Sequence, residues 1–195
     1  VDGIRLPPKE APYSPEVDAA LQALMPKDAV IPPLVLFREL VHNLPLANAV
    51  QGFGSFFLGA RERTGRALPS RERELVILRV CARCGCEYEW GVHAVAYGPR
   101  VGLTDEQVRS TVTTIADPDG FDGSAKDRLL LRVVDELHHR ARISPETWQK
   151  FSKEFTPAQC LEVLVLSGWY HAIAYLANGL ELTAEPWAPR FSDGH

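Results

Sequence analysis

Residues 71–98, RERELVILRVCARCGCEYEWGVHAVAYG, decide how the rest of the chain is read. The run from Leu75 to Cys81 is apolar apart from Arg79, and it predicts a buried helix behind a charged first turn. Gly85 offers a break where the chain can turn back on itself. Beyond it, Cys86, Glu89 and His93 are spaced three and then four residues apart. On a helix that spacing stacks them on one face within roughly 10 Å of rise. If the chain reverses at Gly85, Glu74 comes alongside. A thiol, two carboxylates and an imidazole then share one pocket.

Glu89 and His93 at i and i+4 form a candidate dyad in which the carboxylate orients the imidazole for proton transfer. The bland alternative is a surface pair worth about half a kcal/mol. Tyr88, Trp90 and Val92 argue for a helix buried on much of its circumference, so the functional reading leads. Cys86 at a helix start has a thiolate favoured by the helix dipole and opposed by nearby carboxylates. Its alternative is an inert core cysteine. Beside Arg71 and Arg73, Glu74 has a solvated salt bridge as its competing reading. Arg73, Arg79 and Arg83 are candidate anchors for a substrate carboxylate, and Arg79 and Arg83 share a face. Trp90 is a candidate substrate wall. Cys84 with Cys86 is a possible redox pair across Gly85, and a metal set of Cys84, Cys86, Glu89 and His93 lacks the second ligand pair of strong zinc motifs.

The same residues carry a family resemblance. The stretch resembles the carboxymuconolactone decarboxylase and alkylhydroperoxidase D superfamily, whose peroxidase branch has a distant Glu, then Cys-x-x-Cys, three residues and a His. Glu74, Cys86 and His93 match that register, while Glu89 stands where the branch has its second cysteine. The similarity to the branch without the dithiol implies an all-α fold over residues 45–183 and a homo-oligomer (dimer, trimer or hexamer). It also implies cofactor-free acid/base chemistry on a small carboxylated lactone or ring-cleavage product, with catalytic residues Glu74, Cys86, Glu89 and His93. In that scheme His93 transfers the proton, Glu89 orients it, Glu74 is a second acid or base, and Cys86 is a polarisable wall. The competing functions are a thiol peroxidase, with Cys86 attacking and Cys84 resolving, and a non-catalytic oligomeric helical protein.

The remainder of the chain fits this frame. Its 195 residues, 46% hydrophobic and 24% charged, suit a globular protein with a full core. A net charge of −4 without a long basic run argues against nucleic-acid and membrane-surface partners. Four cysteines suit a reduced cytoplasm better than a disulfide scaffold. No basic and apolar leader opens the chain, which argues against export. No metal or cofactor is expected.

The proline-rich residues 1–15 predict an extended arm over the domain or a neighbouring subunit. An all-helical domain follows over 16–183, then a tail, 184–195, whose Trp187 and Phe191 are candidate interface residues. Nine helices are expected, with starts at Ser14-Pro15, Thr104, Ser124, Ser144 and Thr156. Asn43 and Pro45 are read as closing the second helix, and Gly52 and Gly54 as allowing close packing of the third, Ala47 to Arg63. The apolar stretch 163–180 reads as a buried helix rather than a membrane span. Within it His171 is a core histidine or a wall of the same cavity, and His138 and His139 complement a helix end. LPSRERELVIL (68–78) also lines up with TPAQCLEVLVL (156–166), pairing Glu74 with Glu162 as in a duplicated helical unit.

Overall fold

In the computed structural model of the chain, residues 5–26, 29 and 31–191 are described. Parts of the predicted arm (1–4) and tail (192–195) lie outside them. Among the described residues the regular elements are helices: α1 (Pro15–Leu24), α2 (Val35–Leu40), α3 (Leu44–Leu58), α4 (Arg61–Thr64), α5 (Ser70–Arg83), α6 (Glu87–Ala96), α7 (Asp105–Thr113), α8 (Ala125–Arg140), α9 (Pro145–Glu154) and α10 (Pro157–Gly179).

The hub is α5, which packs on α6, α7, α8 and α10. Every residue from Arg73 to Ala82 is buried. Leu75, Val76, Ile77, Leu78, Val80 and Cys81 expose nothing measurable, so truncating one leucine here costs about 2–5 kcal/mol. A helix enclosed on all sides has no solvated face for its arginines, and each finds partners inside the protein. Arg79 grips Asp135 of α8 through Nε and Nη2, both at 2.7 Å, and donates further bonds to the carbonyls of Thr111 and Thr114. Arg83 Nε reaches the same Asp135 at 2.6 Å. These bonds hold the Asp135 carboxyl below its usual range despite the opposing effect of burial. Arg79 and Arg83 therefore fasten α5 to α7 and α8, which corrects their reading as anchors for a substrate carboxylate.

α5 ends as the sequence suggests. Gly85 adopts φ +59°, the left-handed conformation that glycine tolerates best, and nests the Cys86 N–H on the Cys81 carbonyl at 2.8 Å. The chain turns there and α6 runs back along α5. Helix starts at Ser14, Thr104, Ser124, Ser144 and Thr156 are each capped by the predicted side chain.

The third helix departs from expectation. The Asn43 side chain accepts the Leu46 N–H and opens α3, with Pro45 in its first turn, rather than closing α2. α3 stops at Gly59, so α4 becomes a separate short helix. No neighbour stands within 4 Å of a Cβ placed on Gly52 or Gly54, so neither mediates close packing. Gly91 of α6 does so instead. A Cβ there would lie 2.5 Å from the Pro189 carbonyl, because the C-terminal segment crosses the helix at that notch.

By length and a mean hydropathy of 1.4, α10 has the composition of a membrane span. Here Val163, Leu166, Tyr170 and Ala174 are buried, and the helix packs on α5, α6 and α9. The N-terminal arm lies on its own domain, where Lys9 N–H bonds the Arg38 carbonyl at 3.1 Å and His42 Nε2 meets the Pro7 carbonyl at 2.9 Å.

Candidate active site

Where α5, α6 and α10 meet, a polar cluster is sealed inside the apolar core. α5 contributes Arg73 and Glu74, α6 contributes Glu89 and His93, and α10 contributes Tyr170. Glu74 is 0% exposed and His93 2%. Glu74 Oε2 stands 2.7 Å from His93 Nδ1, a direct bond with no bridging water needed. The other carboxylate oxygen accepts from Arg73 Nε at 2.7 Å, and Arg73 Nη1 donates to the Phe57 carbonyl at 3.0 Å. Tyr170 Oη lies 2.9 Å from His93 Nε2, and Glu89 Oε2 lies 3.6 Å from the same nitrogen. Tyr97 stacks on the imidazole with centroids 4.7 Å apart.

The two carboxyls have opposite electrostatics. Burial pushes Glu74 up, yet the His93 charge and hydrogen bond, with Arg73 added, outweigh it and hold Glu74 below its usual range. Burial also pushes Glu89 up, and Glu185 and Glu74 add to that, with the His93 ring alone opposing. An ionised Glu74 only accepts, so the network assigns a proton to His93 Nδ1 and leaves Nε2 facing Tyr170 and Glu89. Burial and the neighbouring carboxylates push the Tyr170 hydroxyl far up as well, so it stays a donor.

The expected dyad is thus rearranged. Glu74, not Glu89, orients the imidazole, and Glu89 keeps its own proton to higher pH. A carboxylate one turn before His93 on the same helix reaches only the far nitrogen, whereas one on the antiparallel neighbour meets Nδ1 along its bond direction.

Cys86 sits at the N-terminus of α6 and is fully buried. A hydrogen bond from the Cys81 side chain and the Glu89 amide N–H favour its thiolate, while burial and the Glu89 charge oppose it, and the balance lowers its pKa. Its thiol neighbour is therefore Cys81 rather than the expected Cys84. All four cysteines are free thiols. Cys84 faces α8, with Sγ 3.9 Å from His138 Nδ1, and burial pushes its thiol up to about 11.

Two other expected substrate contacts lie elsewhere. Trp90 Nε1 donates to Thr111 Oγ1 at 3.0 Å, and its ring lines a cavity of about 200 Å³ with Arg109 and Phe191, away from His93. His171 points to Cys84 and His138. Sequence reasoning passed over Tyr170 in favour of its neighbour His171, and took Arg73 as an anchor for substrate. Four residues separate Cys81 from Cys86, and the glycine turn that joins them was the one signal for their pairing.

Behind α6 the C-terminal segment closes the site. Tyr88 Oη donates to Glu185 Oε1 at 2.7 Å, and the same oxygen accepts the Val35 N–H at 2.7 Å, tying α6 to α2.

Fold and site together define an all-α protein with an antiparallel helix pair around a buried histidine–carboxylate centre. Residues 49–131 match the model of the carboxymuconolactone decarboxylase family, to which this segment of the chain is similar. The matched segment holds Glu74, Cys86, Glu89 and His93, but not Tyr170. No curated protein matches the chain. Among solved structures, an uncharacterized peroxidase-related protein from Silicibacter sp. TM1040 is similar with a TM-score of 0.74 at 17% identity, over 93% of this chain and 92% of that one. The apo debrominase Bmp8 is similar with a TM-score of 0.73 at 11% identity, with the same coverage of 93% and 92%. These likenesses establish the shared fold.

Proposed function

We propose that the chain is a cofactor-free acid/base enzyme acting on a small carboxylated lactone or related aromatic-catabolism intermediate, by proton transfer or decarboxylation. One observation carries this reading: a single imidazole lies between two carboxyls whose environments push their pKa values apart. Glu74 holds His93 in one tautomer and balances its charge when Nε2 takes up a proton. Nε2 is the atom that exchanges the proton with substrate carbon. Glu89 and Tyr170, both beside Nε2, donate hydrogen bonds to the oxyanion that develops as the carboxylate leaves or the α-proton departs. Substrate reaches Nε2 by displacing the Tyr170 hydroxyl. The test is calorimetric binding of lactone and aromatic acids, followed by turnover of any binder. Tyr170→Phe and Glu89→Gln should each lower kcat at least about tenfold. Binding of none of these acids would leave the non-catalytic alternative.

A second reading rests on the Cys81–Cys86 pair. A Cys86 thiolate attacking a hydroperoxide would release the alcohol and become a sulfenic acid. Cys81 would then condense with it to a disulfide and water, and an external dithiol would restore both thiols. Loss of two thiols on peroxide treatment, abolished in Cys81→Ser and retained in Cys84→Ser, would favour this chemistry. Four free thiols also suit the reducing cytoplasm that we propose as its compartment.

We further propose a homo-oligomer. Leu46, Phe53 and Phe56 of α3 and Leu161 and Val165 of α10 are exposed, and most of them share one apolar groove. A second copy of this chain would cover it. Light scattering should give a mass above 21.6 kDa, and Phe53→Glu should return it to that value.

A further inference from the structure

Away from His93, three side chains from three helices converge at the open end of α5. Cys84 caps α5, His138 lies in the last turn of α8, and His171 lies midway along α10. The Cys84 Sγ and one ring nitrogen of each histidine fall within 4.8 Å of one another, and each residue is half-buried. We propose that Cys84, His138 and His171 form a binding site for a borderline-soft divalent cation, with Zn²⁺ the best fit, leaving a fourth position open to solvent or a small ligand.

Four observations support this. The donor set of one thiolate and two imidazoles is a known zinc combination, and half-burial leaves an entry path. The spacing is close to a tetrahedral edge. With metal–nitrogen bonds of about 2.0 Å and metal–sulfur bonds of about 2.3 Å, ligand atoms stand roughly 3.3–3.6 Å apart. Here His138 Nδ1 is 3.0 Å from His171 Nε2 and 3.9 Å from Cys84 Sγ, and all three ligand atoms lie within 4.8 Å of one another, so side-chain movements of no more than about 1–1.5 Å bring them around one ion.

The supporting shell is also in place. His171 Nδ1 bonds the Ser167 carbonyl at 2.9 Å, which fixes the ring and turns the Nε2 lone pair towards the cluster. The Cys84 carbonyl accepts from Asn178 Nδ2 at 2.8 Å, which pins the cap. Finally, the field suits a cation. Two helix C-termini, those of α5 and α8, meet at this point and present their negative ends. The nearby Arg83 shares the Asp135 carboxylate with Arg79, at 2.6 Å from Arg83 Nε, which offsets part of its charge. On binding, Cys84 gives its thiol proton to solvent, and the metal replaces the proton now shared by the two imidazoles.

The test is Co²⁺ titration of the reduced full chain, followed by displacement with Zn²⁺. One equivalent per chain should bind, with tetrahedral d–d bands and a sulfur-to-cobalt charge-transfer band in the near ultraviolet. Cys84→Ser should remove the charge-transfer band, Cys86→Ser should keep it, and His138→Gln or His171→Gln should weaken binding about tenfold or more. Circular dichroism establishes that each variant is folded. On the unmutated chain, Zn²⁺ should protect Cys84, and no other cysteine, from alkylation mapped by mass spectrometry. Absence of saturable binding, a band that survives Cys84→Ser, or alkylation of Cys84 unchanged by Zn²⁺ would overturn the proposal.

Discussion

His93 and His171 lie on neighbouring helices, yet their surroundings differ in every respect that sets the chemistry of an imidazole. His93 has a carboxylate on one nitrogen, a tyrosine hydroxyl on the other, a second carboxyl near by and almost no solvent. His171 has a backbone carbonyl on one nitrogen and a second imidazole on the other, with a sulfur close by and water within reach. The first set has the donors and acceptors that proton transfer needs. The second offers lone pairs with few protons to spare. Packing decides the difference: His93 is enclosed between α5, α6 and α10, while His171 faces the edge where α5 and α8 end.

The sharpest way to break the comparison is to remove the partner on each side. Glu74→Ala leaves Arg73 and His93 as buried groups without their anion, and should cost about 3–5 kcal/mol in denaturant unfolding. His171→Ala, at a half-exposed position, should cost within about 1 kcal/mol in the same measurement. Similar losses for both would mean that the His93 centre is no more interdependent than the other.

Next in size is catalysis. His93→Ala should lower kcat/KM on an accepted substrate by about a hundredfold or more. An activity that survives this substitution would move the chemistry out of the buried centre.

The pH dependence of stability separates the two carboxyls. Because Glu89 is raised in the folded chain, the folded state binds more protons than the unfolded one between its free and raised values. Stability therefore falls as pH rises through that window, and Glu89→Gln should flatten the slope of Tm against pH there. Glu74 is lowered, so its contribution is present above the free carboxylate range and is lost as pH falls through its folded value. An unchanged slope in Glu89→Gln would mean that Glu89 is not the raised group.

The smallest effect is in reactivity. Cys84 is the half-buried thiol and Cys81, Cys86 and Cys160 are buried, so a thiol reagent should label one cysteine in the native chain and the other three on unfolding. Because Cys84 is pushed up to about 11, even that labelling should be slower than for a free thiol at neutral pH. Fast labelling of Cys86 would imply an opening to the buried centre.

Much of this was legible in the residue pattern. Capping side chains and the Gly85 turn are local signals, and they placed most helix starts and the reversal that brings Glu74 to His93. Register between helices is not local. Which carboxylate meets which nitrogen depends on how α6 is rotated against α5, and the i, i+4 rule favoured Glu89 because it considers one helix alone. Arg79 and Arg83 were misread for the same reason: their partner, Asp135, is more than fifty positions away. The internal repeat also gave an alignment without a role. Glu162, which the alignment pairs with Glu74, accepts the N–H groups of Ala67 and Leu68 at 2.8 and 2.7 Å and so caps the approach to α5.

The notch at Gly91 has a consequence for synthesis. The wall that fills it and the Glu185 carboxylate that receives Tyr88 come from the C-terminal segment, 97 positions after Tyr88. At about 5–20 residues per second, the ribosome delivers that segment roughly 5–20 seconds after α6. Until then the face of α6 that this segment covers in the finished fold has no partner.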